Sequence, residues 1–309
     1  MSLNENAQID TSQVEDRRGA SGGGGLGGMI PIGGGGRGGI IGIIATVILL
    51  LAGGGYGASQ VLGGDGNSGG DNTNLNQECA ASNPNRLQNV DCRNALYINS
   101  IQNFWQTELP QVYGDQYQQV KTVFFSQQTS TGCGTADTGV GPFYCPQDKL
   151  VYIDLAFYDE LTNQFGAKGQ FTQAYVLAHE YGHHAQDLIG TLPQVDRAEQ
   201  RDPGNANKYS VMLELQADCY AGVWAAHATQ TKDQSGQPIF TQVTQQDIQD
   251  AVNAAGSVGD DTIQKKMGGG VDESKFTHGT SAQREQWFTT GYKSGDPKSC
   301  DTFGNALGG

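Results

Sequence analysis

The sequence is short of basic side chains: 18 lysines and arginines face 32 aspartates and glutamates, a formal net charge of −14. Nucleic-acid binders draw affinity from Lys and Arg that displace counterions from phosphate, so that class fits poorly, and the acidity reads as an aid to solubility. Cysteine is absent before Cys79, and none of the six that follow has C-x-x-C spacing, which argues against a structural zinc finger. Residues 1–39 lack both apolar mass and periodicity. About half of the 46 glycines fall in the first seventy residues, in runs such as GGGGLGG and GGGGRGG, and a disordered tail is expected over 1–39.

Charge is missing altogether between Gly38 and Gly57, around the apolar centre Ile40–Ala52. About 20 such residues cross the roughly 30 Å hydrocarbon layer of a bilayer, so 40–57 is read as a single transmembrane anchor. A cleavable signal peptide is the rival, but the leading region is long and has no clear A-x-A site. Arg17, Arg18 and Arg37 precede the segment and the next basic residue is Arg86, which puts the N-terminus in the cytoplasm and the rest outside, periplasmic or extracellular. Residues 58–76, rich in glycine, asparagine and aspartate, read as a flexible linker to a folded domain over 77–309. An even number of cysteines confined to that exported part suggests disulfides. Local closure favours Cys79–Cys92 and Cys133–Cys145, leaving Cys219–Cys300.

The stretch that organises the domain is AYVLAHEYGHHAQDL, Ala174–Leu188. It holds an H-E-x-x-H match at His179, Glu180 and His183. Residues four apart on a helix share a face, so the two imidazoles can reach one Zn²⁺, while Glu180 stands about 100° round, placed to hold a water and take its proton. A catalytic zinc usually takes a third protein ligand. Glu214 is the best candidate, opening E-L-Q-A-D in a helical pattern from Tyr209 to His227. Asp218, four residues on, shares its face and is placed to orient a ligand histidine. Adjacent His184 points away from the same ion, and His227 has no evident role.

Elsewhere, Asn94–Thr107 reads as a helix ending before Pro110, Thr122–Phe125 as a strand, and Phe143–Leu155 as two strand-like patches around a turn. A strand just before the zinc helix would be either a sheet edge open to an extended peptide or an ordinary buried strand. Ile189–Lys208 reads as a polar loop, and Asp247–Val258, Asp261–Lys266 and Gln283–Tyr292 as helices. His278 and Arg284, in T-H-G-T-S-A-Q-R, are polar groups placed to approach a developing oxyanion.

H-E-Y-G-H-H followed by E-L-Q-A-D-C-Y-A-G-V-W, with F-Y-C-P-x-D-x-x-V-Y-I-D before and T-H-G-T-S-A-Q-R after, resembles the bacterial neutral zinc metallopeptidases from about Cys79 to Phe303. The glycine-rich head with V-E-D-R-R-G is also like that family. The resemblance implies a zincin-type α+β domain, mainly helical with a small sheet, with H-E-x-x-H zinc ligands and peptidase activity on a protein or peptide substrate. The expected function is a membrane-anchored endopeptidase holding one Zn²⁺ on His179, His183 and Glu214, with Glu180 as general base. The alternative is a zinc-binding cell-surface scaffold without activity, for which Glu180→Gln would change nothing.

Overall fold

The computed structural model describes residues 1–18, 72–268 and 270–307. Two short strands, β1 (Ser2–Leu3) and β2 (Val14–Asp16), come first, then helices α1 (Thr73–Glu78) and α2 (Val90–Tyr113). Asn89 opens α2 by accepting from the Asp91 and Cys92 N–H groups, and Gly114 closes it at φ 80°, where a left-handed residue is needed. The helix therefore runs past Pro110, contrary to the expected stop. The bond lost at the proline strands only the carbonyl of Gln106, an exposed residue that water can satisfy.

Strand β3 (Thr122–Phe125) leads through the hairpin β4 (Gln128–Thr131) and β5 (Gly134–Asp137) to β6 (Phe143–Cys145) and β7 (Leu150–Asp154). The rest is helical apart from β8 (Phe240–Gln242): α3 (Phe157–Phe165), α4 (Gln170–Leu188), α5 (Thr191–Arg201), α6 (Ala206–His227), α7 (Gln245–Ser257), α8 (Asp260–Lys266) and α9 (Ser281–Ser294). Helix α5 replaces the expected polar loop. Its Leu192, Val195 and Ala198 recur at helical spacing and are buried, a short apolar stripe inside an otherwise polar segment, with Glu199 buried beside them and accepting from the Ser210 hydroxyl.

The fold is α+β. A four-stranded sheet has the order β2-β3-β7-β6, parallel except for β6, which pairs antiparallel with β7 and, among the described residues, has no strand on its other side. Side chains alternate across it. Phe124, Tyr144, Val151 and Ile153 face the main helical core, while Val123, Phe125, Phe143, Cys145 and Tyr152 pack with Ala136 of the hairpin. All six cysteines are paired as Cys79–Cys92, Cys133–Cys145 and Cys219–Cys300.

The first 18 residues are a correction to the expected disordered tail. β2 is the outer parallel strand of the sheet, with Val14 opposite Thr122, and β1 pairs with β8. Val14 and Ala7 are fully buried. Most of the hold is polar: Arg18 pairs with Asp16 and Asp91, the Arg86 guanidinium donates to the Glu5 and Ala7 carbonyls, and Asn99 exchanges two hydrogen bonds with the Asp10 backbone. A composition poor in apolar residues hides such a segment, because its partners lie far along the chain.

The expected anchor at 40–57 lies outside the described residues, none of whose helices is long and apolar enough to cross a membrane. Beside β2, Asn72 accepts from the Asp16 N–H at 2.8 Å and donates to the Val14 carbonyl at 2.7 Å. The two ends of the segment 19–71 thus meet at one sheet edge.

Truncating Val14 to alanine should lower stability by about 2 kcal/mol, read as an earlier urea midpoint of the full chain. Removing residues 1–18 should lower the midpoint further. An unchanged midpoint in both would mean that the segment is not part of the folded unit.

Candidate metal centre

Helix α4 presents His179 and His183 from one face. Between them is Gly182, and a Cβ there would lie 3.1 Å from both Cα and the carbonyl oxygen of Ala217, so its absence lets α6 pass close by. The crossing brings Glu214 onto the rings. His179 Nε2 lies 3.1 Å from Glu214 Oε2, and His183 Nε2 lies 3.4 Å from Oε1. One ligating atom from each of the three residues falls within 4.8 Å of the others, and all three residues are buried.

The opposite side of each ring fixes its tautomer. His179 Nδ1 is 2.9 Å from Asp218 Oδ1, and His183 Nδ1 is 2.8 Å from Gln186 Oε1. Both partners accept, so each ring carries a hydrogen on Nδ1 and turns Nε2 toward Glu214. Two lone pairs facing a carboxylate repel one another unless a cation stands among them. The electrostatics record that demand: burial works to lower the His179 pKa, yet Asp218 and Glu214 raise it to about 10. Burial would likewise raise Glu214, but His183 and His278 hold it well below the carboxylate range. Among the described residues His183 Nε2 has no hydrogen-bond partner although the residue is fully buried, and Glu180 Oε2 is similarly unpaired. Native proteins rarely leave such atoms unsatisfied, and two nitrogens and a carboxylate form a donor set that a divalent cation can use. The chain's own residues therefore fit a metal ion.

Asp218 is itself held from behind. Tyr175 Oη donates to its Oδ1 at 2.6 Å, and Arg284 donates Nε to Oδ2 at 2.7 Å and Nη2 to Oδ1 at 3.0 Å. Burial alone would raise this carboxyl, but Arg284 and His179 keep it down at about 2. Arg284 thus serves Asp218 rather than the oxyanion position expected of it. Its helix, α9, reaches α6 because Gly222 and Gly291 are bare: a Cβ at either would strike the Phe288 or Cys219 carbonyl of the facing helix. Tyr175 and Gln186 were not singled out in the sequence. Their spacing, four before His179 and three after His183, was the available signal.

His278 lines the same cleft as His179, Glu180 and Glu214. Asp260 Oδ2 accepts from the Thr277, His278 and Gly279 N–H groups at 2.8, 2.7 and 2.9 Å and so fixes the loop that carries it. Glu180 is raised, by burial first, with the two histidines and the Tyr144 backbone N–H pulling the other way. His184 stands apart, as helix geometry requires. It donates to the Gln118 carbonyl and contacts the Tyr144 hydroxyl, and burial lowers its pKa to about 4. His227 meets the Gly295 carbonyl, away from the cluster. The open strand β6 begins beside the cleft, whose wall includes Gly141 and Pro142.

A family model described as "Putative neutral zinc metallopeptidase" matches residues 4–303. The uncharacterized protein Rv2575 of Mycobacterium tuberculosis (strain ATCC 25618 / H37Rv) is 48% identical over 219 residues, 70% of this chain and 72% of that protein. The uncharacterized protein YpfJ of Escherichia coli (strain K12) is 39% identical over 301 residues, 96% of this chain and 98% of its own length. No solved structure matches.

Replacing Asp218 by asparagine removes the charge behind His179 while keeping its shape. Zinc affinity, measured by competition with a chromogenic chelator, should fall about 10- to 100-fold. Unchanged affinity in a variant with a native circular dichroism spectrum would mean that Asp218 does not act on the ion through His179.

Proposed function

The chain belongs to the neutral zinc metallopeptidase family, and from that premise we propose that it is a zinc-dependent endopeptidase with a zincin-type site. The observation that carries the reading is the pair of buried, unpartnered atoms, His183 Nε2 and Glu180 Oε2, beside the His179–Glu214 contact. One atom fits a ligand and the other a base. In this reading His179, His183 and Glu214 hold the ion, Asp218 and Gln186 hold the two rings in the ligating tautomer, and Arg284 and Tyr175 keep Asp218 charged and in place. A zinc ion held by these residues would supply Lewis acidity and would bring the pKa of a bound water to about 7.

Glu180 takes the proton from that water and returns it to the leaving amine. Its buried position, which raises its pKa, suits a group that must both accept and release a proton near neutrality. His278, on its braced loop, donates to the oxyanion as the carbonyl carbon becomes tetrahedral. The free edge of β6 pairs with an extended substrate backbone and excludes water from one side. Three disulfides favour an oxidising compartment outside the cytoplasm, with residues 1–18 on the same side as the domain.

Glu180→Gln keeps the shape of the side chain but cannot take a proton. The variant should bind zinc as the parent does and lose about 10²- to 10⁴-fold in kcat on casein or a fluorogenic peptide. Full activity in the zinc-loaded variant would rule out Glu180 as the base.

A further inference from the structure

Helix α4 carries a second set of polar side chains, one residue on from the set at the metal centre. His179, His183 and Gln186 share the face turned to α6. Glu180, His184 and Asp187 repeat the spacing of four and three and share a face about 100° round. The metal centre uses Glu180 from this second face and leaves His184 and Asp187 without a task. Both meet one atom, the Tyr144 hydroxyl of β6. It donates to Asp187 Oδ2 at 2.9 Å, and His184 Nδ1 lies 3.1 Å from it. His184 is itself pinned, because its Nε2–H donates to the Gln118 carbonyl at 2.7 Å and the Tyr117 ring meets it edge-on. His184 and Tyr144 are buried, and Asp187 is half-buried.

The consequence falls on Glu180. Strand β6 has three residues and, among the described residues, a strand neighbour on one side only. Phe143 and Cys145 point to the hairpin side of the sheet, where the disulfide from Cys145 to Cys133 holds the strand to the hairpin. Tyr144 alone of the three faces the helical core, so it is the side chain that ties the strand to α4. The same residue turns its backbone N–H to the Glu180 carboxylate. That donor limits how the carboxylate turns, and Oε2, unpaired among the described residues, is left to take the proton. Small displacements matter here, since misplacing a reacting group by about 1 Å can cost about 100-fold in rate. Resting on the peptidase reading above, we propose that His184 and Asp187 are positioning residues for Glu180: through the Tyr144 hydroxyl they clamp β6 to α4 and hold the Tyr144 N–H where it orients the carboxylate of the base.

The test is Tyr144→Phe in the full chain, which keeps the ring and removes only the hydroxyl. Zinc affinity should match the parent, KM should stay within about twofold, and kcat on a fluorogenic peptide should fall about 10- to 100-fold. Added to Glu180→Gln, the same substitution should lower kcat no further, because the base it orients is gone. A second readout needs neither metal nor activity: hydrogen exchange of the peptide covering β6, followed by mass spectrometry on the metal-free full chain, should quicken in Tyr144→Phe. Tyr181→Phe is the control, since its hydroxyl meets Thr122 Oγ1 at 3.0 Å, another buried bond from α4 to the sheet but to β3. It should leave kcat and exchange at β6 as in the parent. Equal losses of kcat in the two variants would overturn the proposal in favour of general loosening. Unchanged kcat and exchange in Tyr144→Phe would overturn the clamp while leaving the peptidase reading intact. A zinc-loaded parent that cleaves nothing would remove the peptidase reading, and the clamp's role in it, whatever the exchange shows.

Discussion

The site depends on one buried charge relation: two carboxylates, Glu214 and Asp218, on a single face of α6 in the interior. Burying a carboxylate is costly unless a cation and hydrogen bonds compensate it. Asp218 is compensated fully, by the Arg284 guanidinium, the Tyr175 hydroxyl and the His179 Nδ1–H. Glu214 is not. It faces the Nε2 atoms of two rings that the same network turns toward it, and a divalent cation among these three groups would complete the arrangement. Glycines at the helix crossings make this possible. Gly182 lets α6 pass over α4, and Gly222 with Gly291 lets α9 bring Arg284 to Asp218. The Cys219–Cys300 disulfide and the Gln216 hydrogen bond to the Cys300 carbonyl then tie the ligand helix to the C-terminal segment.

Much of this centre was legible because its parts are local. His179 and His183, or Glu214 and Asp218, are four apart, and helical spacing alone puts each pair on a face. The three disulfides followed from closing the shortest loops first. Arg284 could not be assigned its partner, since it lies 66 residues from Asp218 and only the packing of two helices through bare glycines joins them. The edge position of β6 was equally out of reach. It is a property of strand order, and a strand of three buried residues looks the same in the sequence whether it is central or at the rim.

The first 18 residues mark another limit of compositional reasoning. Low apolar content argues for disorder when burial is the source of stability, but here buried Val14 and Ala7, with Met1, Leu3 and Ile9 packed against the core, join arginine, asparagine and backbone hydrogen bonds in fixing the segment. The family match, which starts at residue 4, includes this strand. The described chain leaves this edge at Arg18 and resumes beside it at Asn72, which bonds to the Asp16 N–H and the Val14 carbonyl.

The most direct measurement of the central claim is X-ray absorption at the zinc edge on the purified full chain loaded with one equivalent of the metal. The account predicts a first shell with two imidazole nitrogens and protein carboxylate oxygen, losing one imidazole in His183→Ala and the carboxylate in Glu214→Ala. A shell without imidazole, or one that neither substitution alters, would contradict it.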